Sequence, residues 1–156
     1  MTATRQPRRL ARLLAGAALA VGALVGAAAA PAAAYEPNPE AAVTYQKSDS
    51  GVGVNVGLSQ GGSYLGTVVF DAHSQQLGVY DTKNDGDTFY VHVSTTHGGV
   101  THNLGTYSAP GGENVVDSVV KDFDLPEGTA VDIAVYDDPA LTDYIGGARG
   151  TGAAIA

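Results

Sequence analysis

From about Val43 onward the chain runs in short stretches of Val, Thr, Tyr and Phe that alternate with polar residues and are broken by Gly, Asn and Asp. A period of two places successive side chains on opposite faces, which is the pattern of a half-buried strand, and no segment carries a long apolar stripe at helical spacing. The runs predict eight strands, at residues 42–47, 52–58, 64–71, 75–80, 88–95, 101–107, 115–125 and 130–136. Eight short strands predict an all-β fold, a single-domain antiparallel β-sandwich over residues 43–156. Residues 35–42, YEPNPEAA, are spaced by prolines and predict an extended, poorly ordered N-terminal tail.

Two strands alternate cleanly enough to assign faces. In TFYVHVST, Phe89, Val91 and Val93 share one side, with Tyr90, His92 and Ser94 on the other; in AVDIAVYD, Val131, Ile133 and Val135 oppose Asp132, Ala134 and Tyr136. The aliphatic sets are the expected core. Ahead of the second strand, FDLPEGT sets Phe123 and Leu125 against Asp122 and Asp124, then places Pro126 and Gly128 as the second and fourth residues of a type I turn, which predicts a hairpin. The tail GGARGTGAAIA is rich in small residues and is expected to close as a final irregular strand or to fray.

The N-terminus changes the picture of compartment. Arg5, Arg8, Arg9 and Arg12 precede an apolar run from Leu13 to about Ala30, and Ala32 and Ala34 stand at the −3 and −1 positions of a bond before Tyr35. This is the pattern of a cleaved signal peptide, residues 1–34. The competing reading, a membrane anchor, fits less well because the run is Ala-rich and is followed by Glu36 and Glu40. Ala11 and Arg12 also stand where a twin-arginine signal wants apolar residues, so general secretion to an extracellular location is expected.

Without the leader, 122 of the 156 residues remain, enough for one core. All 16 acidic residues lie in that part, and loss of the four leader arginines takes the formal net charge from −8 to −12. A surface of that sign repels nucleic acid phosphates and anionic head groups, keeps an exported protein soluble, and can attract cations or basic partners. Cysteine is absent, which excludes thiol catalysis, thiolate metal sites and disulfides.

The strand GTVVF (Gly66 to Phe70), LGVYDTKNDGDTFYVHV (Leu77 to Val93) and FDLPEGTAVDIAVYD (Phe123 to Asp137) together resemble a diffuse group of small secreted actinobacterial proteins of unknown function. These share a signal peptide, a strand ending in V-[CY]-D before an Asp-Gly turn, and a later L-P-E-G-x-x-V entry into a second such strand. The resemblance implies a secreted β-sandwich; the group often places cysteines where this chain has Tyr80 and Tyr136, and it offers no activity to transfer.

The stretch DTKNDGD, residues 81–87, poses the sharpest question of chemistry. An EF-hand-type loop begun at Asp81 would put Lys83 at the third ligand place and His92 at the twelfth, where a bidentate Glu belongs. As a hairpin turn every residue has a use, since Asn84 and Asp85 tolerate turn conformations and Gly86 supplies positive φ. The turn is therefore the expected reading and no cofactor is expected. A divalent-cation (calcium) module on Asp81, Asp85 and Asp87 is the alternative. His92, His97 and His102 fall in one expected hairpin around Gly98-Gly99, whose cross-strand register puts His97 and His102 on one face and His92 on the other. Three histidines cannot then share a metal.

Catalytic signals are weak. No nucleophile elbow occurs, GSYLG and GGARGTG lack the strand-to-helix context of a phosphate loop, and the carboxylate pairs Asp122/Asp124 and Asp137/Asp138 read as solvated. Tyr80, Tyr90 and Tyr136 fall on outward faces, where they either pack across strands or form a stacking platform for a glycan or protein partner. The expected function is a secreted, non-catalytic interaction or accessory module; a calcium-binding module comes next, and a hydrolase with no identified site third.

Overall fold

The computed structural model describes residues 35, 37–83, 85–111, 116–150 and 153–156. Ten strands occur among them: β1 (Glu40–Ser48), β2 (Gly51–Gln60), β3 (Ser63–Asp71), β4 (Gln76–Asp81), β5 (Tyr90–His97), β6 (Val100–Tyr107), β7 (Asp117–Asp122), β8 (Ala130–Tyr136), β9 (Tyr144–Ala148) and β10 (Ala154–Ile155). They form a curled antiparallel sheet in the order β6-β5-β8-β10-β2-β3-β4-β7, with β1 paired to β2 and β9 to β8. The curl gives two layers, one of β1, β2, β3, β4 and β7 and one of β6, β5, β8 and β9. The short β10 joins them, pairing Ile155 with Val52 and Ala154 with Val131. Among the described residues no helix is long and apolar enough to cross a membrane.

Alternation explains the core. Val54 lies opposite Phe70 and Val56 opposite Val68 between β2 and β3, while Val68 faces Val79 and Phe70 faces Leu77 between β3 and β4. From the second layer, Val91 faces Val135 and Val93 faces Ile133. All of these are buried, as the face assignment for Phe89, Val91, Val93, Val131, Ile133 and Val135 requires. Each such side chain removed from water contributes roughly 1.5–3 kcal/mol before the entropy of ordering is set against it.

The β5–β6 hairpin follows the expected register, with His97 opposite Val100 and Thr95 opposite His102. Gly98 (φ 59°) and Gly99 (φ 78°) both take left-handed conformations, which is what a two-residue turn matching strand twist demands.

Other connections differ from expectation. DTKNDGD is not a hairpin turn: β4 pairs with β3 and β7, whereas β5 pairs with β6 and β8, so residues 82–89 carry the chain from one layer to the other. FDLPEGT is likewise a crossing between β7 and β8, which do not pair. The Thr129 N–H donates to the Pro126 carbonyl at 3.1 Å, making Pro126 the first residue of its turn and Gly128, at φ 81°, the third. A glycine with positive φ in third place is the mark of a type II turn rather than type I.

The N-terminal tail is shorter than expected, because β1 begins at Glu40 and Tyr35 packs into the core at 2 % exposure. At the other end the small-residue tail supplies most of β9 and all of β10, with Ala148, Ala154 and Ala156 buried. The expected leader, residues 1–34, lies outside the described residues, as does Val115 at the expected start of the seventh strand.

Candidate functional site

Three places bring polar chemistry together. The first is the end of the sandwich where β4 stops and β5 begins. Asp81 closes β4 directly opposite Asp117, the first residue of β7. Its carboxylate accepts the Lys83 N–H at 3.0 Å through Oδ1, and Oδ2 is buried with no hydrogen-bond partner. Burial raises the Asp81 pKa above the usual carboxylate value, and Asp85, Asp117 and Asp87 add to the rise against the opposing Lys83 N–H. Tyr35 comes in from the N-terminal side, and its Oη is also buried without a hydrogen-bond partner. Its pKa is raised by burial first and then by Asp81, Asp85, Asp87 and Asp137.

Asp85 is exposed and pairs loosely with Lys83 at 3.8 Å; it also accepts the Asp87 N–H at 3.3 Å. Asp87 is partly exposed, and its pKa is raised by desolvation and by Asp85. The trio Asp81, Asp85 and Asp87 therefore divides into one buried carboxylate and two near the surface. Among the described residues no group of three or more His, Cys, Asp or Glu is arranged to hold a metal ion.

Asp137 corrects the solvated reading of the pair Asp137/Asp138. It follows β8 directly and is 1 % exposed. Asp138 turns the other way and organises the next loop, accepting the Thr142 N–H, the Thr142 hydroxyl and the Asp143 N–H, each at 2.8 Å, which lowers its pKa. The two carboxylates thus diverge into unlike surroundings. Asp122 and Asp124 are exposed as expected, Asp122 accepting from the Gln76 amide at 2.8 Å.

The second place is the outer face of the β5-β8-β9 layer. Tyr90 lies directly opposite Tyr136, and Tyr136 directly opposite Tyr144, so three tyrosines form a row across adjacent strands. The Tyr136 and Tyr144 rings meet edge to face at 5.6 Å and the Arg149 guanidinium lies 5.3 Å from the Tyr144 ring centroid. Ala134 and Gly147 sit opposite each other next to the row, with His92 opposite Ala134 on β5. Tyr80 does not join. It belongs to β4 in the other layer, opposite Thr67 and Ser118, and its ring covers Gly78, where an added Cβ would come within 2.5 Å of it. The structure separates Tyr80 from Tyr90 and Tyr136 and puts Tyr144 in its place.

The third place was hidden from sequence reasoning. The β1–β2 and β3–β4 turns lie side by side at the opposite end of β4, and Ser50 Oγ stands 3.0 Å from His73 Nδ1. They line a shallow cleft of about 350 Å³ with Asp49, Gln75, Glu127 and Ala156. The nearby Asp71 carboxylate is occupied with Ser74, accepting its N–H at 2.8 Å and its hydroxyl at 3.0 Å. Among the described residues no carboxylate hydrogen-bonds the His73 ring, so the serine–imidazole contact is half of a nucleophilic apparatus. His92 bonds the Thr106 hydroxyl at 3.2 Å, while His97 and His102 are exposed near the β5–β6 turn. No protein-family model, no curated protein and no solved structure matches the chain.

Proposed function

We propose that this chain is a secreted, non-catalytic β-sandwich module that recognises an extracellular partner through the tyrosine row Tyr90, Tyr136 and Tyr144. The observation that carries the reading is the register itself, which sets three tyrosines directly opposite one another on three neighbouring strands. Tyr144 leaves 45 % of its surface to solvent. Aromatic surface gathered on adjacent strands, with the small residues Ala134 and Gly147 beside it, suits contact with the apolar faces of sugar rings. The acidic chain disfavours polyanions, so the partner is a neutral glycan.

Retention on insoluble neutral polysaccharides, compared between wild type and a Tyr136→Ala/Tyr144→Ala double variant, tests this. Binding that the double variant loses while staying folded supports the reading; equal retention of both proteins overturns it. The 3.0 Å approach of Ser50 to His73 favours a second reading, a hydrolase at that cleft. Turnover of ester or peptide substrates that Ser50→Ala abolishes would bring it to the front.

A further inference from the structure

We propose that the end of the sandwich holding Tyr35, Asp81 and Asp137 binds a hard divalent cation of the calcium class, with the carboxylates of Asp81 and Asp137 and the phenol oxygen of Tyr35 as ligands. The proposal is independent of the tyrosine row. It also differs from the loop reading of Asp81, Asp85 and Asp87, because two of those three side chains stay near the surface.

The geometry comes first. Asp81 ends β4 beside Asp117, and Asp137 follows Tyr136, whose partner Tyr90 opens β5 just after the 82–89 crossing. Asp81 and Asp137 thus come from opposite layers to the same end of the fold, each 1 % exposed, and Tyr35, 2 % exposed, precedes Glu40, which opens β1 opposite Ser59 at that same end, where Leu58 pairs with Gly66 and Gly66 with Asp81. The Asp81 charge is costly in such a place, since a buried carboxylate oxygen without a hydrogen-bond partner needs a proton, a base or a cation to balance it. Lys83, the basic residue in this loop, lies near the surface against Asp85.

A second observation does not depend on the carboxylates. The Tyr35 Oη is buried, makes no hydrogen bond, and lies where Asp81, Asp85, Asp87 and Asp137 all act on it. Buried hydroxyls ordinarily find a partner, because leaving one unmet costs about 1–3 kcal/mol. Asp81 Oδ2 is in the same condition. Two buried oxygens with lone pairs to give, in a strongly negative field, are what a hard cation takes as ligands. Calcium accepts six to eight oxygens, including backbone carbonyls and water, so fewer than three carboxylates suffice for a weak extracellular site. Asp85 and Asp87 then act at longer range by drawing the ion in.

Thermal unfolding of the purified protein in chelator and in rising calcium chloride, with isothermal calorimetry alongside, tests the assignment. Wild type should gain melting temperature saturably and reversibly, with a dissociation constant on the order of 0.1–1 mM. Asp81→Asn and Asp137→Asn should each weaken calcium binding about tenfold or more, and Tyr35→Phe, which keeps the ring, should weaken it by a smaller factor. Asp85→Asn should keep the response. No calcium shift in wild type at about 10 mM overturns the proposal, as does a response that survives Asp81→Asn or that Asp85→Asn alone abolishes. Should Asp81→Asn not fold, the calorimetric comparison of Tyr35→Phe with wild type decides in the same way.

Discussion

Tyr144 stands directly opposite Tyr136, and the two rings meet edge to face at 5.6 Å and 68°. That geometry aims the positive edge of one ring at the negative face of the other, an interaction worth about 0.5–1.5 kcal/mol beyond area burial. Arg149 adds a cation against the same ring, worth about 0.5–1 kcal/mol at an exposed site. The pair is thus both a structural contact and part of the proposed recognition face, and the two roles separate by measurement. Tyr144→Ala should lower stability in urea by about 1 kcal/mol and abolish retention on neutral glycan. Tyr144→Phe should keep the stability and most of the retention, because stacking needs the ring rather than the hydroxyl.

Val91 and Val135 give the control for the fold. They are direct cross-strand partners with no exposed surface, so truncating either to Ala removes buried methyl groups and leaves a partial cavity. Each change should cost about 1–3 kcal/mol by denaturant titration. The double variant should fall short of the sum, because the two cavities adjoin and relax together. His92→Ala on the outer face gives up one contact with Thr106 and should stay within about 0.5 kcal/mol.

The contrast between these sites explains what could be read from the sequence. Face assignments for Val91 and Val135 were legible because side-chain alternation is local, and the Gly98-Gly99 register because a two-residue turn fixes pairing. Which layer a strand joins is not local: DTKNDGD has the residues of a hairpin turn and instead crosses between layers, since β4 is already paired on both sides by β3 and β7. The same blindness hid Ser50 and His73, which come together only because two separate turns lie side by side. Tyr35 looked like part of a tail because prolines follow it, and only the packing shows its ring buried. Tyr144 carried a faint signal, a tyrosine entering a small-residue run, but its place in the row depends on the β8–β9 pairing.

Gly86 tests the crossing loop. Its φ is 85°, and a Cβ built there would meet nothing within 4 Å, so the cost of Gly86→Ala is conformational and not steric. Unfolding should show a loss of roughly 1 kcal/mol, because an L-residue is disfavoured at that φ. The loss should be the same in chelator and in calcium, as Gly86 belongs to the loop and not to the proposed ligand set. A loss several times larger in calcium than in chelator would make the loop itself the ion's coordination shell.

The pH dependence of stability follows from carboxylates shifted in opposite directions. The Asp71 pKa is lowered, chiefly by its hydrogen bonds from Ser74, so its contribution is present above the usual carboxylate range and is lost as pH falls through its folded value. The Asp81 pKa is raised, chiefly by burial, so its contribution is complete below the unfolded value and is lost as pH rises through the folded one. In chelator, stability should therefore pass through a maximum within the carboxylate range, decline as pH rises through the folded Asp81 value, and level off above it. Asp81→Asn, which keeps the shape and removes the charge, should flatten the decline and leave the acid limb unchanged. Calcium should flatten it in wild type as well, since an ion offsets the ionised carboxylate that a proton offsets at lower pH. Denaturant midpoints at half-unit pH steps from about 2 to 7, with and without calcium, read out both limbs. A decline identical in wild type and Asp81→Asn would place the buried charge elsewhere.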